Sequence, residues 1–212
     1  MSEAELIRKY QEGSEFLANQ DPVMKRVFDL VGPLEPIFQE GIFKSLVLKI
    51  LSQQLSTKAA ATIAGRMEAM IEAIYDPERM IRFSQEQYRA VGVSRQKFGY
   101  ISDLCRAFIE NRSFFEDLPS HENEEIVEKL TQVKGIGVWT AQMFLMFTVG
   151  RIDVFAPDDV GLRNAIEKWY GIEERMKKKE LDAFAERWKP YRTIASRYLW
   201  RSLHQDVLPK LD

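Results

Sequence analysis

Cysteine and histidine are nearly missing from this chain of 212 residues: Cys105 stands alone, and His121 and His204 lie far apart in sequence. A single thiol closes no intramolecular disulfide, and neither a Cys-rich zinc site nor a four-Cys iron–sulfur cluster can be assembled. Two distant histidines argue against a His-based metal centre or an acyl-transfer triad. No apolar run is long enough to span a bilayer, so no membrane partner is expected. The opening Met-Ser-Glu-Ala-Glu is acidic where a signal peptide needs a basic start and an apolar run, which gives the expectation of a cytoplasmic protein, nucleoid-associated in a bacterium. Positive charge is not in excess either, with 30 basic against 32 acidic residues and a net charge of −2. A nucleic-acid binder with that balance must gather its basic groups on one face or rely on backbone N–H donors. Sustained period-2 alternation is missing too, and so are internal repeats, which leaves an all-α chain.

Helical spacing is present nearly throughout. Leu46, Val47, Ile50 and Leu51 share one face, and Ile63, Met67, Met70, Ile71 and Ile74 share another, closed by Asp76-Pro77. Between these segments the polar run Ser52-Gln53-Gln54-Leu55-Ser56 reads as an exposed turn with Ser56 or Thr57 as N-cap. Ser94 is placed to cap a helix carrying Ile101 and Cys105, and a further helix is expected from about Asn123. Later helices are expected over roughly 159–170, 178–188 and 191–204, the last opened by Pro190 in an early position.

The most informative stretch is Leu130-x-x-Val133-x-Gly135-Ile136-Gly137-x-x-x-Ala141. Leu130 and Val133 can anchor one helix, Ile136 can plug the core under the turn, and Ala141 is small where a second helix must cross. Glycines admit backbone angles closed to other residues and let a ligand approach the chain. The start of the second helix offers N–H groups to an anion such as a phosphate. An ordinary helix-Gly-helix connection would use the same residues. Asp159 follows 22 residues beyond Gly137, in Val-Phe-Ala-Pro-Asp-Asp-Val. Two carboxylates after Pro157 at a helix start suit plain N-capping as well as catalysis.

The hairpin and the following Pro157–Asp159 segment together resemble the helix-hairpin-helix/Gly-Pro…Asp superfamily of DNA base-excision glycosylases, and are similar to bacterial 3-methyladenine DNA glycosylase II. The resemblance implies two helical lobes with the active-site cleft between them. One is a central lobe near 42–150, the other is built from 1–41 and 151–212. It implies that Asp159 is the catalytic carboxylate, leaving Asp158 as the cap. It also implies that the N–H groups of Gly135, Gly137 and Thr140 hold the DNA backbone, with Lys134 standing where proline is common. The carbonyls of Thr131, Val133 and Gly135 match a structural monovalent-cation site; no cofactor is otherwise required. Trp139 and Trp200 match aromatic pocket positions, while Met143 and Arg201 replace tyrosines. The Gln53–Ser56 turn matches a wedge loop with Gln54 or Leu55 inserting. Lyase members carry lysine where this chain has Trp139, so base release alone is expected. The implied activity is hydrolysis of 3-methyl or 7-methyl purines from damaged double-stranded DNA by a monomer. A non-catalytic DNA-binding hairpin protein, or a glycosylase for uracil or an oxidised purine, are the alternatives.

Overall fold

The computed structural model describes residues 2–37 and 41–204; the side chains of Thr57 and His204 fall outside that description. Among the described residues there are thirteen α-helices and no strand. They are α1 (Glu3–Gln20), α2 (Pro22–Val31), α3 (Ile42–Ser52), α4 (Thr57–Met70), α5 (Pro77–Met80), α6 (Gln85–Ala90), α7 (Arg95–Glu110), α8 (Arg112–Glu116), α9 (Asn123–Thr131), α10 (Val138–Phe144), α11 (Val160–Trp169), α12 (Lys178–Ala185) and α13 (Arg192–His204). Among the described residues no helix is long and apolar enough to cross a membrane. The chain divides into two units, Met1–Phe38 with Leu145–Asp212, and Gln39–Phe144. The second cut falls where α10 gives way to a π-helical turn at Leu145–Val149.

In the first unit α1 and α2 pack on each other and on α13, and α13 also packs on α11. Their apolar stripes supply Leu17, Met24, Val27, Leu162, Ile166, Ile194 and Leu199 to one core, all fully buried. Burying each such side chain stabilises the fold by about 1.5–3 kcal/mol before entropy is counted. A buried carboxylate organises one edge of this core. Asp21 Oδ1 caps α2 by accepting the N–H groups of Val23 and Met24, at 2.9 and 3.2 Å. Its Oδ2 accepts the Tyr170 hydroxyl at 2.5 Å and the Trp188 indole N–H at 3.3 Å.

The second unit is centred on α3, which packs on α4, α7 and α10. Leu46, Val47 and Ile50 are inaccessible to solvent, as are Leu104 and Cys105 of α7. Burial pushes the Cys105 thiol up to about 12, so it is a packing group and not a nucleophile.

Two boundaries differ from the sequence reading. The helix carrying Ile63 and Met67 stops at Met70, because Ala73 N–H turns back to the Glu68 carbonyl (2.7 Å) with Glu72 and Ala73 in left-handed conformations. Ile74 is therefore exposed, and Asp76 opens α5 by capping Arg79 N–H instead of closing α4. Pro190 does not open α13, which begins at Arg192; the Lys189–Pro190 bond is cis and belongs to the preceding connection.

Candidate active site

The hairpin in the second unit is built by α9, a six-residue turn and α10. Leu130, Val133, Ile136 and Ala141 are all buried, so the anchors hold the turn from below. Gly135 has φ +87°, and a Cβ there would fall inside the Tyr100 ring, so only glycine fits on both counts. Gly137 is different: it is exposed, and a Cβ would meet nothing within 4 Å. Its missing side chain serves nothing inside the protein. The first bond of α10 runs from Ala141 N–H to the Gly137 carbonyl at 3.0 Å, so Thr140 N–H falls among the donors that a helix's first turn leaves outside its own ladder. Lys134 is exposed, whereas the Thr140 side chain is buried. The Val133 carbonyl accepts Ile136 N–H at 3.1 Å, and the Gly135 carbonyl accepts the Gln53 side-chain amide at 2.7 Å.

That last bond brings the Gln53–Ser56 turn onto the hairpin. Gln54 is exposed with φ +57°, and Leu55 is also exposed. Lys97 of α7 donates to the carbonyls of Leu51 and Gln53 at 2.6 and 2.8 Å. Burial in this setting lowers the Lys97 pKa from its ordinary value. A depression of about 390 Å³ opens beside the turn, lined by Gln53, Gln54, Gln96, Lys97, Tyr100 and residues 135–137.

The carboxylate lies in the first unit. Here the division of labour differs from the expected one: Asp159, not Asp158, caps α11. Asp159 Oδ1 accepts Leu162 N–H at 2.7 Å, while Asp158 is exposed and pairs with Lys178 at 2.5 Å. The reason is that Asp159 is the residue directly before the first helical turn, and a cap must reach the N–H three positions on. The same Oδ1 accepts the Trp200 indole N–H at 2.9 Å. Asp159 is thus half-buried, held at the positive end of a helix and oriented by a second donor.

Trp200 of α13 packs against the core of the first unit. It is partly buried and lies 6.0 Å, centroid to centroid, from Phe147. A Cβ at Gly161 would lie 3.2 Å from Asp159 Oδ1 and 3.7 Å from Trp200 Cδ1, so the absence of a side chain there keeps the pair uncrowded. The stretch leading to Asp159 is fastened to the start of α13. Arg192 makes a bidentate pair with Asp153 at 2.8 and 3.0 Å. The Thr193 hydroxyl accepts Val154 N–H and donates to the Arg151 carbonyl. These contacts fix both partners of the Asp159–Trp200 bond at their roots.

Of the other pocket candidates, Trp139 is 45% exposed and so is not a core tryptophan, whereas Met143 is buried within α10. Arg201 is exposed on α13. Sequence reasoning named Asp159 and Trp200 separately but did not find the bond between them, nor the parts played by Gln53, Lys97, Gly161, Arg192 and Thr193. Only the lysine carried a signal: a cation in the first turn of a helix opposes the dipole and calls for another partner.

The pattern of the HhH-GPD superfamily base excision DNA repair proteins matches residues 47–190, spanning hairpin, carboxylate and Trp188. The chain belongs to that superfamily. Within the HhH-GPD superfamily it is 30% identical over 204 residues to DNA-3-methyladenine glycosylase 1 of Schizosaccharomyces pombe, covering 93% of this chain and 90% of that protein. Its fold matches the crystal structure of a DNA-3-methyladenine glycosidase from Bacillus halodurans with a TM-score of 0.82 and 38% identity, over 90% of this chain and 88% of that one. A second HhH-GPD structure, the S. pombe 3-methyladenine DNA glycosylase in complex with abasic DNA, matches with a TM-score of 0.80 and 30% identity, over 91% and 97% of the two chains. Other relatives are longer: the chain spans 61% of a Bacillus subtilis relative and 56% of DNA-3-methyladenine glycosylase 2 of Escherichia coli.

Proposed function

We propose that this chain is a monofunctional DNA glycosylase that releases 3-methyl and 7-methyl purines from double-stranded DNA, acting as a monomer. The observation that carries the reading is the Asp159 carboxylate, fixed by the α11 N–H of Leu162 and by the Trp200 indole. Hydrolysis breaks the bond between the purine nitrogen and sugar C1′, the electron pair leaving with the base. Water oxygen then bonds to C1′ and gives up a proton. Positive charge builds on the sugar in between, and a fixed carboxylate stabilises it where its own orientation costs nothing further. Asp159 is also suited to orient or deprotonate the water. A methylated purine is already cationic, so it leaves as a neutral molecule and needs little acid assistance. Trp200, Trp139 and Met143 are the side chains we assign to the base, the tryptophan faces favouring a cation. No lysine stands at the Trp139 position to form a Schiff base with the sugar, which supports base release without strand cleavage.

The remaining assignments follow the same reading. Gly135, Gly137, Thr140 and Lys134 contact phosphate, the exposed and unhindered Gly137 being the point of closest approach. Gln54, with Leu55 beside it, fills the gap left by the flipped base. The carbonyls of Thr131, Val133 and Gly135 fit a monovalent cation, since an oxygen that accepts one hydrogen bond keeps a second lone pair. Such an ion would stiffen the turn and takes no part in the chemistry.

The test is excision from duplexes carrying single lesions. The wild-type protein should release 7-methylguanine and 3-methyladenine and leave an intact strand bearing an abasic site. Asp159→Asn, which keeps the cap, should fold normally, bind an abasic-analogue duplex and release base only at a small residual rate. Near-normal turnover by that variant would remove the catalytic assignment.

A further inference from the structure

A lysine in the first turn of a helix sits against the positive end of the dipole, and Lys97 occupies that position in α7. Its ammonium reaches instead to the negative end of α3. Three of the last four carbonyls of that helix have partners outside its own ladder. Lys49 O takes the Ser52 hydroxyl at 3.0 Å and Ser52 O takes Leu55 N–H at 3.2 Å, while Leu51 O takes Lys97 at 2.6 Å. The same ammonium holds the Gln53 carbonyl, outside the helix, at 2.8 Å. Gln53 in turn reaches across to Gly135 O, and Gly135 lies flat against Tyr100 of the helix that carries Lys97. The ring of contacts is closed, and Gln54 sits on it in a left-handed conformation that a non-glycine residue keeps only when its surroundings enforce it.

We propose that Lys97 and Gln53 are positioning residues that lock the Gln54 turn to the hairpin, so that the wedge and the phosphate clamp move as one rigid piece. The proposal rests on the reading of Gln54 as the wedge. A pre-set turn spends no binding energy on its own ordering when it enters the duplex. The lock should therefore matter where a base must be displaced and matter little where it is already unpaired.

The experiment is single-turnover excision of 7-methylguanine from a fully paired duplex and from a single-nucleotide bulge. Lys97→Met, which keeps the stem and removes both charge-assisted hydrogen bonds, should slow the paired substrate by about tenfold or more, and the bulged one far less. Lys97→Arg should restore most of the loss. Equal losses on both substrates, or none on either, would overturn the proposal. If Lys97→Met does not fold, Gln53→Met carries the same comparison, because it removes only the amide that reaches Gly135. If the wild-type protein releases no methylpurine, the glycosylase reading fails separately. The lock is then judged by 2-aminopurine fluorescence beside a tetrahydrofuran site. A smaller unstacking signal in the variants supports it and an unchanged signal overturns it.

Discussion

Replacing Trp200 by phenylalanine isolates the bond on which the site is built. Phenylalanine keeps an aromatic face against Phe147 and loses the indole N–H that Asp159 Oδ1 accepts at 2.9 Å. The Leu162 N–H remains, so the cap survives and α11 should start where it does now. A hydrogen bond to a charged group contributes about 1.5–3 kcal/mol, and each 1.36 kcal/mol is a factor of ten in rate. If the whole contribution is felt in the transition state, single-turnover excision should fall by roughly ten- to a hundredfold. Trp200 is only partly buried, so the melting temperature should move by a few degrees at most. The decisive comparison is a double-mutant cycle with Asp159→Asn, measured at saturating enzyme on a 7-methylguanine duplex. Because the indole acts through the carboxylate, the double variant should be no slower than Asp159→Asn alone. A further tenfold loss in the double variant, or an undiminished rate in Trp200→Phe, would refute the reasoning and leave Trp200 as a stacking surface only.

Gly135→Ala should cost about 2–4 kcal/mol and lower the melting temperature by about 5–15 °C, through the left-handed φ and the Tyr100 ring; Gly137→Ala should leave melting unchanged and weaken binding to damaged and undamaged duplexes alike. Asp158→Asn should leave excision unchanged and cost less than about 1 kcal/mol by denaturant unfolding, since it removes only the solvent-exposed pair with Lys178. Burial lowers the Lys49 pKa from 10.5 to about 8, so the folded chain binds fewer protons than the unfolded one between those values and stability should rise with pH across that window. The difference in stability between the wild-type protein and Lys49→Met should therefore shrink as the pH nears 10.5. A difference in melting temperature that does not shrink with pH would assign it to packing instead.

Legibility from sequence divided along a physical line. The all-α class and the superfamily were readable because they rest on local spacing: apolar residues at helical intervals, and anchors at fixed distances around Gly135-Ile136-Gly137. What escaped notice are contacts set by the fold over long separations. The Asp159–Trp200 bond joins residues 41 apart in sequence, and the Gln53–Gly135 bond joins residues 82 apart. That Asp159 and not Asp158 caps α11 was missed for a different reason. Either carboxylate could cap, and a shift of one residue in the start of α11 decides which does. The end of α4 was misplaced because Ile71 and Ile74 continue the helical interval past the point where two non-glycine residues turn left-handed.

The first unit is assembled from both ends of the sequence, and this has a consequence for the order of synthesis. The apolar faces of α1 and α2, with Leu17, Met24 and Val27, are covered by α13, the last of the thirteen described helices to be made. At translation rates of about 5–20 residues per second, those faces wait roughly 10–30 s for roughly 170 further residues to emerge. Meanwhile Gln39–Phe144 has every element of its own core to hand and can close around α3 first. The nascent chain should therefore pass through a state with a folded hairpin and an unsatisfied pair of N-terminal helices, exposed to chaperone or protease. Asp159 meets its indole partner only once Trp200 has left the ribosome, so the proposed base-releasing capacity appears in one step and not gradually.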